Sequence, residues 1–218
     1  MNLETIEIES GPKPAAAVIW LHGLGADGHD FEPVVPELGL PASKPVRFIF
    51  PHAPMRAVTI NNGMRMRAWY DILQMGPGAE DEAGIRASQS QIEELMAIQN
   101  KKGIPTRNIA LAGFSQGGAI VLQTALRSKQ RLAGVLALST YLPLRDQLAG
   151  ERVAANNDLP IFMAHGSFDP MIGIDRAQRS REILEAQGYE VEWHEYPMPH
   201  SVCPEELGDM GDFLLRIL

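Results

Sequence analysis

The sequence predicts an α/β fold, a mostly parallel sheet covered by helices on both faces. Three observations lead there. Residues 15–21, 108–112, 132–138 and 160–164 are apolar runs, the pattern of strands buried on both sides. Segments of helical periodicity alternate with them, and few long loops intervene, as in layered α/β architectures. The run ending at Ala112 passes straight into Gly113-Phe114-Ser115-Gln116-Gly117 and then into Ala119-Ile120-Val121-Leu122. That order reads as strand, very tight turn and helix.

Bulk properties bound the rest. The chain has 218 residues, 45% apolar and 21% charged, which suits one domain over residues 1–218 with a sizeable core. A net charge of −8 argues against nucleic acid or an anionic membrane as main partner. The start, Met1-Asn2-Leu3-Glu4-Thr5-Ile6-Glu7, has neither the basic region nor the apolar core of a signal peptide. No apolar stretch approaches the roughly 20 residues of a membrane helix. Cys203 is the sole cysteine, which excludes intrachain disulfides and thiolate metal cages. A cytoplasmic chain that is not an integral membrane protein is the expectation.

Taken in order, residues 3–8 alternate like an edge strand. Residues 15–21 form a buried strand ending in His22-Gly23-Leu24-Gly25, and residues 31–38 a short helix with Pro33 near its first turn. The strand over 46–50 stops at Pro51-His52-Ala53-Pro54. Residues 55–80 show no firm period and read as irregular. Residues 82–102 form a long amphipathic helix, with Ile85, Ile92, Leu95, Met96 and Ile98 largely on one face. After the tight turn and its helix comes the strand over 132–138. A polar, partly helical connection follows over 144–157, then the strand over 160–164. Residues 175–187 form a helix stopped by Gly188, residues 191–196 an alternating strand, and residues 204–218 a closing helix with Pro204 near its start.

The glycine-flanked Ser115, between a strand and a helix, is a G-x-S-x-G nucleophile elbow in its required context. The five-residue pattern alone is common, and a serine in a glycine-rich turn is the plain alternative. A serine nucleophile needs a general base, itself oriented by a third group, and in this architecture the acid and the histidine follow the serine in that order. Of the six histidines, His22, His29 and His52 precede Ser115. His165 sits at a strand end just before the candidate acid, and His194 lies within a strand. His200, in the proline-restricted loop Pro197-Met198-Pro199-His200-Ser201, is the candidate base, with a solvated loop histidine as the alternative. Asp169, just after the strand over 160–164, is the candidate acid, although Asp-Pro is also a common turn pair. The oxyanion of an acyl-transfer intermediate needs backbone N–H donors. Gln116 and Leu24 are the candidates, and Gly23 and Gly25 also read simply as strand-end turn residues. Trp69, Leu73 and Met75, with Met64 and Met66, could line an apolar acyl site or pack in the core. Metal binding by His22, His29 and His52 lacks a helical pair or a carboxylate cluster.

Leu21-His22-Gly23-Leu24-Gly25, Pro51-His52-Ala53-Pro54, Trp69-Tyr70-Asp71-Ile72, the 113–118 elbow, His165-Gly166 with Asp169-Pro170, and Pro199-His200-Ser201 occur in one chain, in this order. Together they resemble the bacterial carboxylesterase and acyl-protein thioesterase (phospholipase/carboxylesterase) family, over almost the whole length. The resemblance implies a minimal α/β-hydrolase fold with no large cap domain and no cofactor. It also implies a triad of Ser115, Asp169 and His200, an oxyanion hole of Leu24 and Gln116, and hydrolysis of esters and thioesters. Small-molecule esters or thioesters, acylated proteins and lysophospholipids are its possible substrates, and a homodimer is a possible state. A non-catalytic acyl-binding protein on the same fold is the rival class.

Overall fold

The computed structural model describes residues 3–74 and 78–218. Its main sheet has seven strands in the order β1, β3, β2, β6, β7, β8, β9. These are β1 (Thr5–Glu9), β2 (Ala16–Leu21), β3 (Val46–Pro51), β6 (Ile109–Phe114), β7 (Gly134–Leu138), β8 (Ile161–Gly166) and β9 (Val191–Tyr196). β1 runs antiparallel to β3 and every other pairing is parallel. The remaining strands, β4 (Met55–Val58) and β5 (Met64–Arg67), make a separate two-stranded hairpin.

The α-helices among the described residues are α1 (Glu82–Lys101), α2 (Gln116–Arg127), the one-turn α3 (Leu148–Glu151), α4 (Ile174–Ala186) and α5 (Pro204–Ile217). Strand alternation divides the core into two layers. Ala17, Ile19 and Leu21 of β2 face a cluster with Ile85 and Ile92 of α1, Ile120 and Leu122 of α2, and Leu184 of α4. Val18 and Trp20 face the opposite layer, with Leu38 and with Met210, Phe213 and Leu214 of α5. Both faces of the central strands are therefore dry, which is why they read as unbroken apolar runs.

The short helix expected over residues 31–38 is a 3-10 helix over Glu32–Leu38, with Pro36 inside it, where an α-helix would lose a hydrogen bond and meet the proline ring. One expectation changes. The stretch 55–80, expected to be irregular, contains the β4–β5 hairpin. Its turn is carried by Asn62 and Gly63 at φ 54° and 74°, the asparagine-glycine signal of a tight reversal. Its strands, Met-Arg-Ala-Val and Met-Arg-Met-Arg, are largely exposed, so no apolar alternation announces them. Among the described residues, the connections between sheet strands form no large cap.

Candidate active site

Four loops at the carboxyl ends of β2, β6, β8 and β9 converge, where open α/β sheets gather their ligands. Ser115 links β6 to α2 at φ 54° and ψ −118°, a conformation that costs of order 1–3 kcal/mol and persists only where its surroundings enforce it. Here they do: the Ser115 N–H donates to Leu138 O at 2.9 Å, and Ser115 O accepts from Thr140 Oγ1 at 2.6 Å. The flanking glycines are sterically required. A Cβ on Gly113 would lie 2.5 Å from the Gly117 carbonyl, and one on Gly117 would lie 2.4 Å from Leu21 O.

Asp169 follows β8, and its side chain is fully buried. Oδ1 accepts the Met171 and Ile172 N–H groups at 2.8 and 2.9 Å, and Oδ2 accepts from His200 Nδ1 at 2.6 Å. That bond puts the imidazole proton on Nδ1 and leaves Nε2 as the basic nitrogen. The His200 ring packs on Phe114 at 4.7 Å between centroids. Its loop lies directly over the end of β8, where a Cβ on Gly166 would meet Met198 O and Pro199 O at 2.4 Å. His165, buried beneath, donates from Nε2 to Ile172 O at 2.8 Å, with Asp169 Oδ2 a further 3.3 Å contact. Burial pushes its pKa below the ordinary imidazole value.

Ser115, His200, Gly23, Leu24 and Gln116 line one cleft of about 340 Å³. Gln116 begins α2, so its N–H has no intrahelical acceptor and sits at the positive end of the helix dipole. The Gly23–Leu24 loop lies against the elbow: a Cβ on Gly23 would be 3.5 Å from Ser115 Cβ. This arrangement can activate a hydroxyl, accept its proton and stabilise a developing oxyanion.

The candidate acyl-site residues separate. Leu73, 40% exposed, lines the cleft. Trp69 does not: it is fully buried under the cleft, and its indole N–H donates to His22 O at 2.9 Å, so the core reading of Trp69 replaces the lining one. Met64 is exposed on the hairpin, and Met75 falls outside the described residues. His194 stacks on Phe162, lies near the Glu192 and Asp209 carboxylates at 3.1 and 3.4 Å, and is not among the residues that line the cleft. Sequence reasoning missed Tyr141, Ile172 and Arg176 as cleft residues. The Tyr141 hydroxyl pairs with that of Tyr70 at 2.7 Å, and the Arg176 guanidinium lies 3.3 Å over the Tyr141 ring. Burial raises both tyrosine pKa values. Among the described residues, no group of three or more His, Cys, Asp or Glu side chains could hold a metal ion. Nor, among them, is any helix long and apolar enough to cross a membrane.

Fold and cleft together define a serine hydrolase on an α/β-hydrolase scaffold. The chain belongs to the phospholipase/carboxylesterase family, whose profile it matches over residues 3–218. It is 41% identical to acyl-protein thioesterase 1 of Mycosarcoma maydis over 234 residues, covering 99% of this chain and 98% of that one. It is 42% identical to acyl-protein thioesterase 1 of Neurospora crassa over 213 residues, 93% and 87% of the two chains. The crystal structure of Zea mays acyl-protein thioesterase 2 superposes with a TM-score of 0.87 at 25% identity, over 98% of each chain.

Proposed function

We propose that Ser115, His200 and Asp169 form the catalytic triad of a single-domain enzyme that hydrolyses esters and thioesters of short to medium acyl chains. Ser115 Oγ attacks the carbonyl carbon while His200 Nε2 takes its proton. The oxyanion is held by the N–H groups of Gln116 and Leu24. The imidazolium then protonates the departing alkoxide or thiolate, leaving an acyl-serine. A water deprotonated by the same nitrogen attacks the acyl carbonyl, and its collapse frees the acid and restores the serine. The observation that carries this reading is the 2.6 Å bond from His200 Nδ1 to Asp169 Oδ2, made in a cleft that the strained Ser115 also lines. The relatives named acyl-protein thioesterases support an S-acylated protein as the physiological substrate.

Two measurements on purified protein test it, labelling by a fluorophosphonate probe and release of thiol from an acyl thioester. The wild type labels and turns over, and folded Ser115→Ala does neither. A Ser115→Ala variant that kept activity within a few-fold of wild type would overturn the assignment.

A further inference from the structure

We propose that His22 and Trp69 are positioning residues that brace the backbone carrying the Leu24 N–H, so that both oxyanion donors are held in one hydrogen-bonded frame. This inference rests on the catalytic reading above and goes beyond it.

The frame starts at the end of β2. His22 is buried, and its Nε2 accepts the Ala53 N–H at 3.1 Å. A nitrogen that accepts an N–H carries no proton, so in the neutral ring the proton sits on Nδ1. Nδ1 therefore donates to the Gly23 carbonyl at 2.7 Å. In a trans peptide the C=O and the following N–H point in opposite directions. Anchoring Gly23 O thus aims the N–H of Leu24, a residue that lines the cleft with Ser115, away from the imidazole. Burial pushes the His22 pKa down to about 4, so the ring is neutral at pH 7 and its two hydrogen bonds set the tautomer.

Trp69 closes the frame. Its indole N–H donates to His22 O at 2.9 Å, fixing the preceding peptide of the same loop. Its own backbone N–H donates to Gln116 Oε1 at 2.8 Å, and Gln116 Nε2 returns a bond to Tyr70 O at 2.8 Å. Gln116 is also the residue whose backbone N–H is the other oxyanion donor. The Trp69 carbonyl accepts from Ser88 Oγ of α1, which pins the strut to the scaffold. Trp69 and Gln116 are both buried. Trp69 thus links the two donor loops, through its indole N–H on one side and its backbone N–H on the other, and does not line the cleft.

Trp69→Phe keeps a ring in the core and removes only the indole bond. The readouts are kcat and KM on a p-nitrophenyl ester and the inhibition constant of an alkylboronic acid, whose tetrahedral adduct places an oxygen in the oxyanion hole. Loss of a whole donor costs about 10²–10³ in kcat, so a misaimed one is expected to cost about tenfold or more. KM should stay within about twofold, and boronate affinity should fall in proportion to kcat/KM. The second comparison is His22→Asn with His22→Ala, which reads the same property if Trp69→Phe does not fold. Asn retains a donor near the position of Nδ1, so it should keep more kcat than Ala at equal KM. Unchanged kcat and boronate affinity in folded Trp69→Phe would overturn the inference. So would equal kcat for the two His22 variants. Absence of wild-type esterase activity, or its survival in Ser115→Ala, would instead overturn the underlying catalytic reading.

Discussion

His200 Nδ1 and Asp169 Oδ2 lie 2.6 Å apart although 31 positions separate them in the chain. The approach is possible because Gly166, at the end of β8, has no side chain to hold off the backbone of Met198 and Pro199. The Asp169 carboxylate is meanwhile locked by the two N–H groups of residues 171 and 172. The acid therefore cannot turn away, and the imidazole has one orientation.

Asp169→Asn tests that lock. An amide that presents its NH₂ to His200 favours the wrong tautomer, and the loss of kcat is expected to be about 10⁴-fold or less. His194→Ala is the control, because His194 packs on Phe162 and does not line the cleft. Steady-state kinetics on folded variants decide. If His194→Ala inactivated the enzyme and His200→Ala did not, the choice of base would be wrong.

Gly117→Ala should fail at the elbow. The new Cβ would lie 2.4 Å from Leu21 O and 2.6 Å from His22 O, backbone atoms that move only if β2 and α2 separate. Overpacking of this kind costs about 1–3 kcal/mol, and the separation would also pull the two oxyanion donors apart. Both Tm and kcat should fall. Gly150→Ala meets nothing within 4 Å and lies in α3, so its Tm should be unchanged or slightly raised. Equal melting of the two variants would refute the steric argument.

Stability should depend on pH through Glu206. This carboxyl is fully buried in the first turn of α5, and burial pushes its pKa from the ordinary 4.5 to about 8. The helix N-terminus favours the ionised form, so burial outweighs it. The unfolded chain loses this proton near 4.5 and the folded chain near 8, so the folded state binds more protons in between. The stabilising contribution is therefore present below about 4.5, declines as pH rises through the window, and is gone above about 8. Glu206→Gln removes that decline. Thermal melts across the window should show the variant gaining on wild type toward alkaline pH, and parallel curves would contradict this assignment.

What the sequence made legible follows from burial. β2, β6, β7 and β8 are dry on both faces, so they stand out as unbroken apolar runs. Ser115, Asp169 and His200 were traceable because a strained turn, a strand end and a proline-bound loop each leave local signals. β4 and β5 left none, because Val58 is their one buried residue and the rest of the Met/Arg hairpin is exposed or half-buried, too little to impose a period. Trp69 could be read two ways, since composition does not tell which side of a loop faces the cleft. Tyr141 and Arg176 reach the cleft from the segment after β7 and from α4, and only tertiary packing brings them beside Tyr70.

Acyl-chain length gives the last prediction. The cleft of about 340 Å³ has an apolar side built from Ile60, Ile72, Leu73, Phe114, Met171 and Ile172. Leu73 and Met171 are exposed at 40% and 57%, so an acyl chain lying there would cover apolar surface that water now touches. Each buried methylene contributes at most about 0.8 kcal/mol, a factor of about four in kcat/KM. The gain should be smaller at the open rim, where a methylene stays partly wet. Tyr70, Tyr141 and Arg176, joined by the hydroxyl bond and the stacked guanidinium, present polar groups that a methyl terminus cannot satisfy, which sets a limit on useful length. The expected profile on a p-nitrophenyl ester series is a climb from acetyl into the medium range followed by a plateau. Leu73→Ala should flatten the climb while changing acetyl hydrolysis little. A steep fall beyond acetyl would show a closed, small pocket and would rule out the groove.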